Sequence, residues 1–184
     1  MKNYIANPLI KLGHPIPSKP QPPLHICKEV KYDRKTQLAP EEDTSMPLGK
    51  SGIRRVQMIV GALLLIGRAV NNKLMVALSA IGSQHSTATE YANKTIHQLL
   101  DYCATYPDYG ILYRSSNMVL AVHSDAGFNN ENKARIRAGA HIFLSRNETI
   151  PRWNGPVLTI SKIMKYVVSS AAEAEMTALF PAAK

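Results

Sequence analysis

Hydrophobic residues between positions 53 and 105 recur at helical spacing. Residues 53–66 are apolar nearly all round, which is typical of a buried helix. The polar pair Asn71-Asn72 interrupts this pattern, and a second apolar stripe begins at Leu74. Thr87-Ala-Thr-Glu90 has the form of a capping box, which predicts the start of a third helix. The apolar face of that third helix is expected to hold Ala92, Ile96, Leu99, Leu100 and Cys103.

Beyond Gly110 the pattern becomes extended. Met118 to Val122 form an uninterrupted apolar run, typical of a strand that is covered on both faces, and Asp125 lies at its far end. This strand is expected to be central in a sheet. The sequence also predicts a helix after the last strand, from Ser169 to Phe180. The other predicted strands are residues 111–113, 138–144 and 157–160. The pattern therefore predicts the opening of an α/β domain.

The chain divides by composition into three segments. Residues 1–50 hold 8 of the 12 prolines and are expected to be mainly extended, because proline interrupts helices and central strands. Residues 51–107 form the predicted helical connector, and residues 108–184 form the α/β domain. The 45% hydrophobic content excludes a disordered composition for the whole chain.

The net charge of +9 and the pI near 9.6 favour a polyanionic partner such as nucleic acid. A membrane surface is the competing partner, but no lipidation motif supports it, and the most apolar segment, Val56 to Ile66, is too short to span a bilayer. The N-terminus lacks the apolar core of a signal peptide. Cys27 and Cys103 have no metal or redox spacing, so we expect an intracellular setting, cytoplasmic or nuclear.

Two carboxylates are candidates for chemistry. Asp125 at the mouth of a buried strand is costly to desolvate without a positive partner, although an ordinary turn or cap role is the alternative. On a helical wheel Glu175 shares its face with Ala171, Ala172, Ala178 and Leu179, which predicts that it points to the sheet, with a place at the helix edge as the alternative. Glu173 is expected to cap the helix with Ser170. Paired carboxylates are the hard ligands that two Mg²⁺ ions need for phosphodiester cleavage.

Several motifs resemble the polyproteins of copia-type retrotransposons. The following resemble their RNase H domain: His123-Ser-Asp125-Ala, Lys133 to Ser145, and Ser169-Ser-Ala-Ala-Glu-Ala-Glu175. Two motifs, Val56 to Val70 and Leu99 to Pro107, resemble the segment that joins the polymerase to RNase H, and Lys19 to His25 resembles the stretch after the polymerase palm. The resemblance covers nearly the whole chain, and its specificity comes from the order and spacing of the motifs.

The resemblance implies an incomplete RNase H-like mixed sheet with one helix after the helical connector. It assigns Asp125 and Glu175 as catalytic, metal-binding residues of a two-Mg²⁺ endonuclease that cleaves the RNA strand of an RNA–DNA hybrid. The family's later metal-binding carboxylates would follow Glu175, where only residues 176–184 remain. We therefore expect a catalytically incomplete fragment, and the missing polymerase part of the polyprotein is an expected partner.

Basic and aromatic residues suggest contacts with nucleic acid. Lys133, Arg135 and Arg137 are candidates for phosphate contacts, with ordinary solvated charge as the alternative. Trp153 is expected to anchor a loop, and base stacking is its alternative role. We expect His123 and His141 to be packing residues within strands. The competing functional hypotheses are an enzyme, a non-catalytic basic nucleic-acid-binding module, and a non-functional retroelement remnant.

Overall fold

The protein is a mixed α/β chain, and its computed structural model describes residues 4–22 and 43–183. The described residues fall into two compact units. The helical unit contains residues 4–22 and 43–110, and the sheet unit contains residues 111–183. Cys27 and the second half of the Lys19 to His25 motif lie outside the described residues.

The core of the helical unit comes from the predicted helical stripes. Its helices are α1 (Ala6–Lys11), α2 (Lys50–Ala69), α3 (Met75–Gly82) and α4 (Glu90–Thr105). The predicted apolar faces of α3 and α4 are buried, which confirms both. The prediction that α2 is buried all round is wrong, because Met58 and Leu65 are 56% and 60% exposed. Neighbouring elements cover only the stripe of α2 formed by Val56, Ile59, Leu63 and Ile66.

Polar side chains define where these helices begin. Asn71 ends the first helical pattern as predicted, and its side-chain oxygen accepts a hydrogen bond from the Lys73 amide at 3.3 Å. The predicted cap of α4 is wrong by two residues. Thr87 lies in a short 3₁₀ turn, whereas Thr89 has extended backbone and its hydroxyl accepts from the Ala92 amide at 3.4 Å. A threonine caps a helix only where its own backbone is not yet helical.

The first described segment packs into the helical unit. Ile5 and Leu9 are buried in the same core as the long helices. Further along, a nitrogen of the His14 ring lies 2.7 Å from the Asp101 carboxylate on α4. The described residues before position 50 thus belong to the same compact unit as the helices that follow.

The sheet unit contains β1 (Val119–Glu131), β2 (Arg135–Ser145), β3 (Pro156–Ile163) and α5 (Ala171–Ala182). The strands lie in the order β1-β2-β3, and both pairings are antiparallel. Among the described residues the predicted mixed sheet is therefore wrong, and so is the central position of the strand that carries Asp125. β2 is central because each strand pairs with its neighbour in sequence.

The first strand is longer and more exposed than its sequence suggests. β1 continues past Asp125 to Glu131 after a register shift, so Asp125 lies in mid-strand and not at a strand end. Leu120 and Val122 are 62% and 45% exposed, which contradicts the expectation that both faces are covered. A continuous apolar run therefore does not by itself show that both faces of a strand are buried.

Residues 111–113 do not form the predicted strand. They pass closely over Gly155, where an added Cβ would lie 2.7 Å from Cδ1 of Tyr113. The Tyr113 hydroxyl donates to the Pro156 carbonyl at 3.0 Å. Side-chain contacts, rather than ladder hydrogen bonds, fix this segment against the loop before β3.

Helix α5 packs on one face of the sheet. Its cap is confirmed, because the Ser170 hydroxyl accepts from the Glu173 amide at 3.1 Å. The predicted contact face is wrong in part: Ala178 is buried, but Ala171 and Leu179 are exposed and Ala174 is buried instead. The buried stripe is rotated by about 100°, one residue, from the predicted direction. This core contains Ile136, Ala138, Met164, Val168, Ala174 and Ala178.

Candidate nucleic-acid interface

The two predicted catalytic carboxylates are both exposed. Asp125 pairs with Gly139, and strand alternation places its side chain on the same face of the sheet as His123. Helix α5, which carries Glu175, packs against Ala126 and Ala138 on the other face. No group of three or more His, Cys, Asp or Glu side chains in residues 4–22 and 43–183 has the arrangement of a metal site.

These residues offer Mg²⁺ oxygen ligands of suitable chemistry, but neither belongs to a group of three or more possible metal ligands in the described chain. No catalytic step through a metal follows from this arrangement. The assignment of Asp125 and Glu175 as catalytic residues remains a prediction that comes from the family resemblance.

The two neighbouring glutamates of α5 differ in their contacts. Glu173 accepts hydrogen bonds from the backbone amide and the hydroxyl of Ser169, each at 2.8 Å. These bonds stabilise the charged form and lower the pKa of Glu173 below its ordinary value. Glu173 therefore caps the helix start, as predicted, although its carboxylate bonds to Ser169 and not to the Ser170 amide.

The three predicted phosphate-contacting residues have different environments. Lys133 is exposed in the connection between β1 and β2, where its φ is +62°. Arg135 is half-buried, and the Arg137 side chain is only 10% exposed. Nε of Arg137 donates to the Glu131 carboxylate at 2.6 Å, so this arginine holds the two strands together. Lys133 is the best placed of the three to meet a phosphate.

An aromatic cluster on the Asp125 face was not predicted. It consists of His123, His141, Phe143 and Trp153, and we call it the aromatic platform. The Trp153 ring stacks on His123 with 4.5 Å between centroids and on Phe143 with 5.5 Å. His141 lies 5.1 Å from Trp153 in a tilted arrangement. Phe143 is fully buried under this cluster, whereas Trp153 remains 58% exposed.

Hydrogen bonds fix the chain on both sides of Trp153. The Ser145 hydroxyl donates to the carbonyl of Arg152 at 2.9 Å. A nitrogen of the His141 ring lies 3.1 Å from the carbonyl oxygen of Asn154, which accepts. The residues before and after the tryptophan are therefore both tied to β2.

Three arginines lie beside Trp153 at one side of the platform. The backbone amide of Arg114 donates to Oδ1 of Asn154 at 2.7 Å, and Nδ2 of Asn154 donates back to the Arg114 carbonyl at 2.9 Å. A shallow depression beside Trp153 is lined by the exposed residues Arg114, Arg146 and Arg152.

The sequence contains a signal for part of the aromatic platform. Equal parity along two paired strands places residues 123, 141 and 143 on one face of the sheet.

No protein-family model, curated protein or solved structure matches the chain. No helix in the described part of the chain has the length and apolar character needed to cross a membrane.

Proposed function

We propose that the sheet unit is the N-terminal part of an RNase H-like domain from a copia-type retrotransposon polyprotein, and that it binds RNA–DNA hybrid without cleaving it. The order of elements carries this proposal. Three consecutive antiparallel strands precede a capped helix that packs on the sheet, and the resembling motifs lie on β1, β2 and that helix. Asp125 lies on the first strand and Glu175 on the helix that follows the sheet, which is the chain order of the resembling motifs.

Charge supports the binding role. The chain carries a net charge of +9, and Lys133 extends from the exposed connection between β1 and β2. A lysine in such a position neutralises a phosphate and releases counterions on binding. The retroelement assignment implies a cytoplasmic or nuclear location and the polymerase part of the polyprotein as a partner.

Two carboxylates are too few for hydrolysis by this route. The mechanism needs two metal ions about 3.5–4 Å apart, each held by several oxygen ligands. We therefore expect no cleavage of an RNA–DNA hybrid in Mg²⁺ or Mn²⁺. Cleavage that disappears in the Asp125→Asn variant would overturn the non-catalytic part of the proposal.

The binding role is tested by the salt dependence of affinity for an RNA–DNA hybrid, measured by fluorescence anisotropy. If Lys133 contacts one phosphate, Lys133→Ala should reduce the slope of log affinity against log salt by about 0.9, taking the B-form duplex value. Lys94→Ala is the matched control, since Lys94 is also an exposed lysine but lies in the helical unit. Binding that is independent of salt, or an equal loss in both variants, would contradict the proposal.

A further inference from the structure

The aromatic platform has no part in the proposed contact with hybrid at Lys133. Its tryptophan is unusual for a packing residue, because Trp153 stacks on two rings and still exposes 58% of its surface. The rings of His123 and Phe143 stack against the indole of Trp153 and cover part of it. A large part of the ring thus remains available to a planar ligand.

The tryptophan is also held in position before any ligand arrives. The carbonyl groups of Arg152 and Asn154, on either side of Trp153, accept hydrogen bonds from the β2 side chains Ser145 and His141. A ring whose loop is already ordered loses little conformational entropy when a ligand stacks on it. This geometry favours a binding surface over an incidental loop contact.

The surrounding charge indicates the chemistry of the ligand. The depression beside Trp153 is lined by Arg114, Arg146 and Arg152, and no acidic residue belongs to its described lining. Asp125 is on the same sheet face but lies beyond the His123–His141 pair, away from Phe143. An exposed aromatic ring beside clustered arginines matches a ligand with both a flat base and a phosphodiester.

We propose that the aromatic platform binds single-stranded nucleic acid, with an unpaired base stacked on Trp153 and the adjacent phosphates on Arg114, Arg146 and Arg152. A duplex is a poor ligand for this surface because its bases are already stacked on one another. The site is thus distinct from the hybrid contact at Lys133 and can succeed or fail independently of it.

Trp153 is the only tryptophan of the chain, so its fluorescence reports directly on this site. The probe is an oligothymidylate of about ten nucleotides, within the site sizes of single-strand-binding folds. We expect saturable quenching of Trp153 fluorescence. An abasic phosphodiester of the same length has the same charge without bases, and it should bind more weakly and quench less.

Two variants separate stacking from charge, with affinity measured by anisotropy of the labelled oligonucleotide. Trp153→Leu keeps an apolar side chain but removes the aromatic ring, and affinity should fall about 5- to 150-fold, the effect of losing one stacked base. Trp153→Phe should retain most of the affinity. Arg146→Ala should weaken the binding of oligothymidylate and of the abasic probe alike. The control for this variant is Arg55→Ala, at an exposed arginine of α2.

Three outcomes would overturn the proposal. The first is an abasic probe that binds as tightly as oligothymidylate, and the second is unchanged affinity in a folded Trp153→Leu variant. The third is a titration without fluorescence quenching, which is expected if the platform instead holds an apolar peptide. Circular dichroism checks that each variant is folded. Lys133→Ala should weaken the RNA–DNA hybrid more than oligothymidylate, and Trp153→Leu should do the reverse, so failure of the hybrid proposal and failure of this one are distinguishable.

Discussion

The two units bury their apolar residues to different degrees. In the helical unit, stripes from all four helices meet in one core that includes the fully buried Leu63, Leu99 and Leu100. In the sheet unit, the buried cluster on the α5 face is small, and three of its six buried residues are alanines. The sheet therefore keeps apolar and aromatic side chains at its surface, and this is where the candidate binding residues lie. Incomplete burial makes a unit less stable but leaves surface for ligands.

The largest expected effect tests whether the two units unfold independently. Leu99→Ala should destabilise the helical unit by about 3 kcal/mol, because a fully buried leucine leaves a cavity when truncated. Helical circular dichroism should then show an earlier denaturant midpoint, while the fluorescence of Trp153 in the sheet unit changes less. The control Leu65→Ala, at a 60% exposed position of α2, should stay within about 0.5 kcal/mol. Equal shifts of both signals would show that the units unfold together.

A smaller effect tests what holds the sheet unit together. Glu131→Gln removes the charge that faces Arg137, whose side chain is 10% exposed, and leaves that guanidinium without its carboxylate. We expect a loss of about 2 kcal/mol, the range for a hydrogen bond between charged groups that are largely buried. Denaturation followed by Trp153 fluorescence measures this loss. The exposed Glu148 provides the control Glu148→Gln, and equal stability of the two variants would refute the structural role of the pair.

The smallest effect concerns the start of α5 and depends on pH. The Ser169 hydrogen bonds lower the pKa of Glu173 in the folded protein below its ordinary value of 4.5. The stabilisation is therefore present above pH 4.5 and is lost as the pH falls through the lower folded pKa. Glu173→Gln should flatten the acid limb of the stability–pH curve. Glu175→Gln removes a charge from the same helix without touching Ser169, and an identical curve for both variants would exclude the capping explanation.

Local patterns predicted the features that depend on near neighbours in sequence. The stripes of α3 and α4, the strands β2 and β3, and the Ser170 cap all follow from helical or strand periodicity or from one side chain and its adjacent amides. The fold class α/β was accessible for the same reason. The RNase H-like assignment remains a prediction.

Features that depend on residues distant in sequence could not be predicted from local patterns. Gly127 to Glu131 have a loop-like composition, yet β2 pairs with Glu131 and extends β1 beyond Asp125. The direction of the buried face of α5 depends on where the helix docks on the sheet. The observed face differs from the predicted one by about one residue, so Ala174 is buried. Strand parity groups His123 with Phe143, but which face stays open depends on α5, and Trp153 reaches that face from a loop.

The edge position of β1 has a consequence for the protein in concentrated solution. In the described chain only β2 pairs with β1, so the other edge of this strand presents backbone amide and carbonyl groups without strand partners. Between Val119 and Ala126 that edge has neither a proline nor a lysine, the residues that most often prevent strand-to-strand aggregation. Residues 119–126 are therefore where intermolecular β-sheet formation is expected to begin.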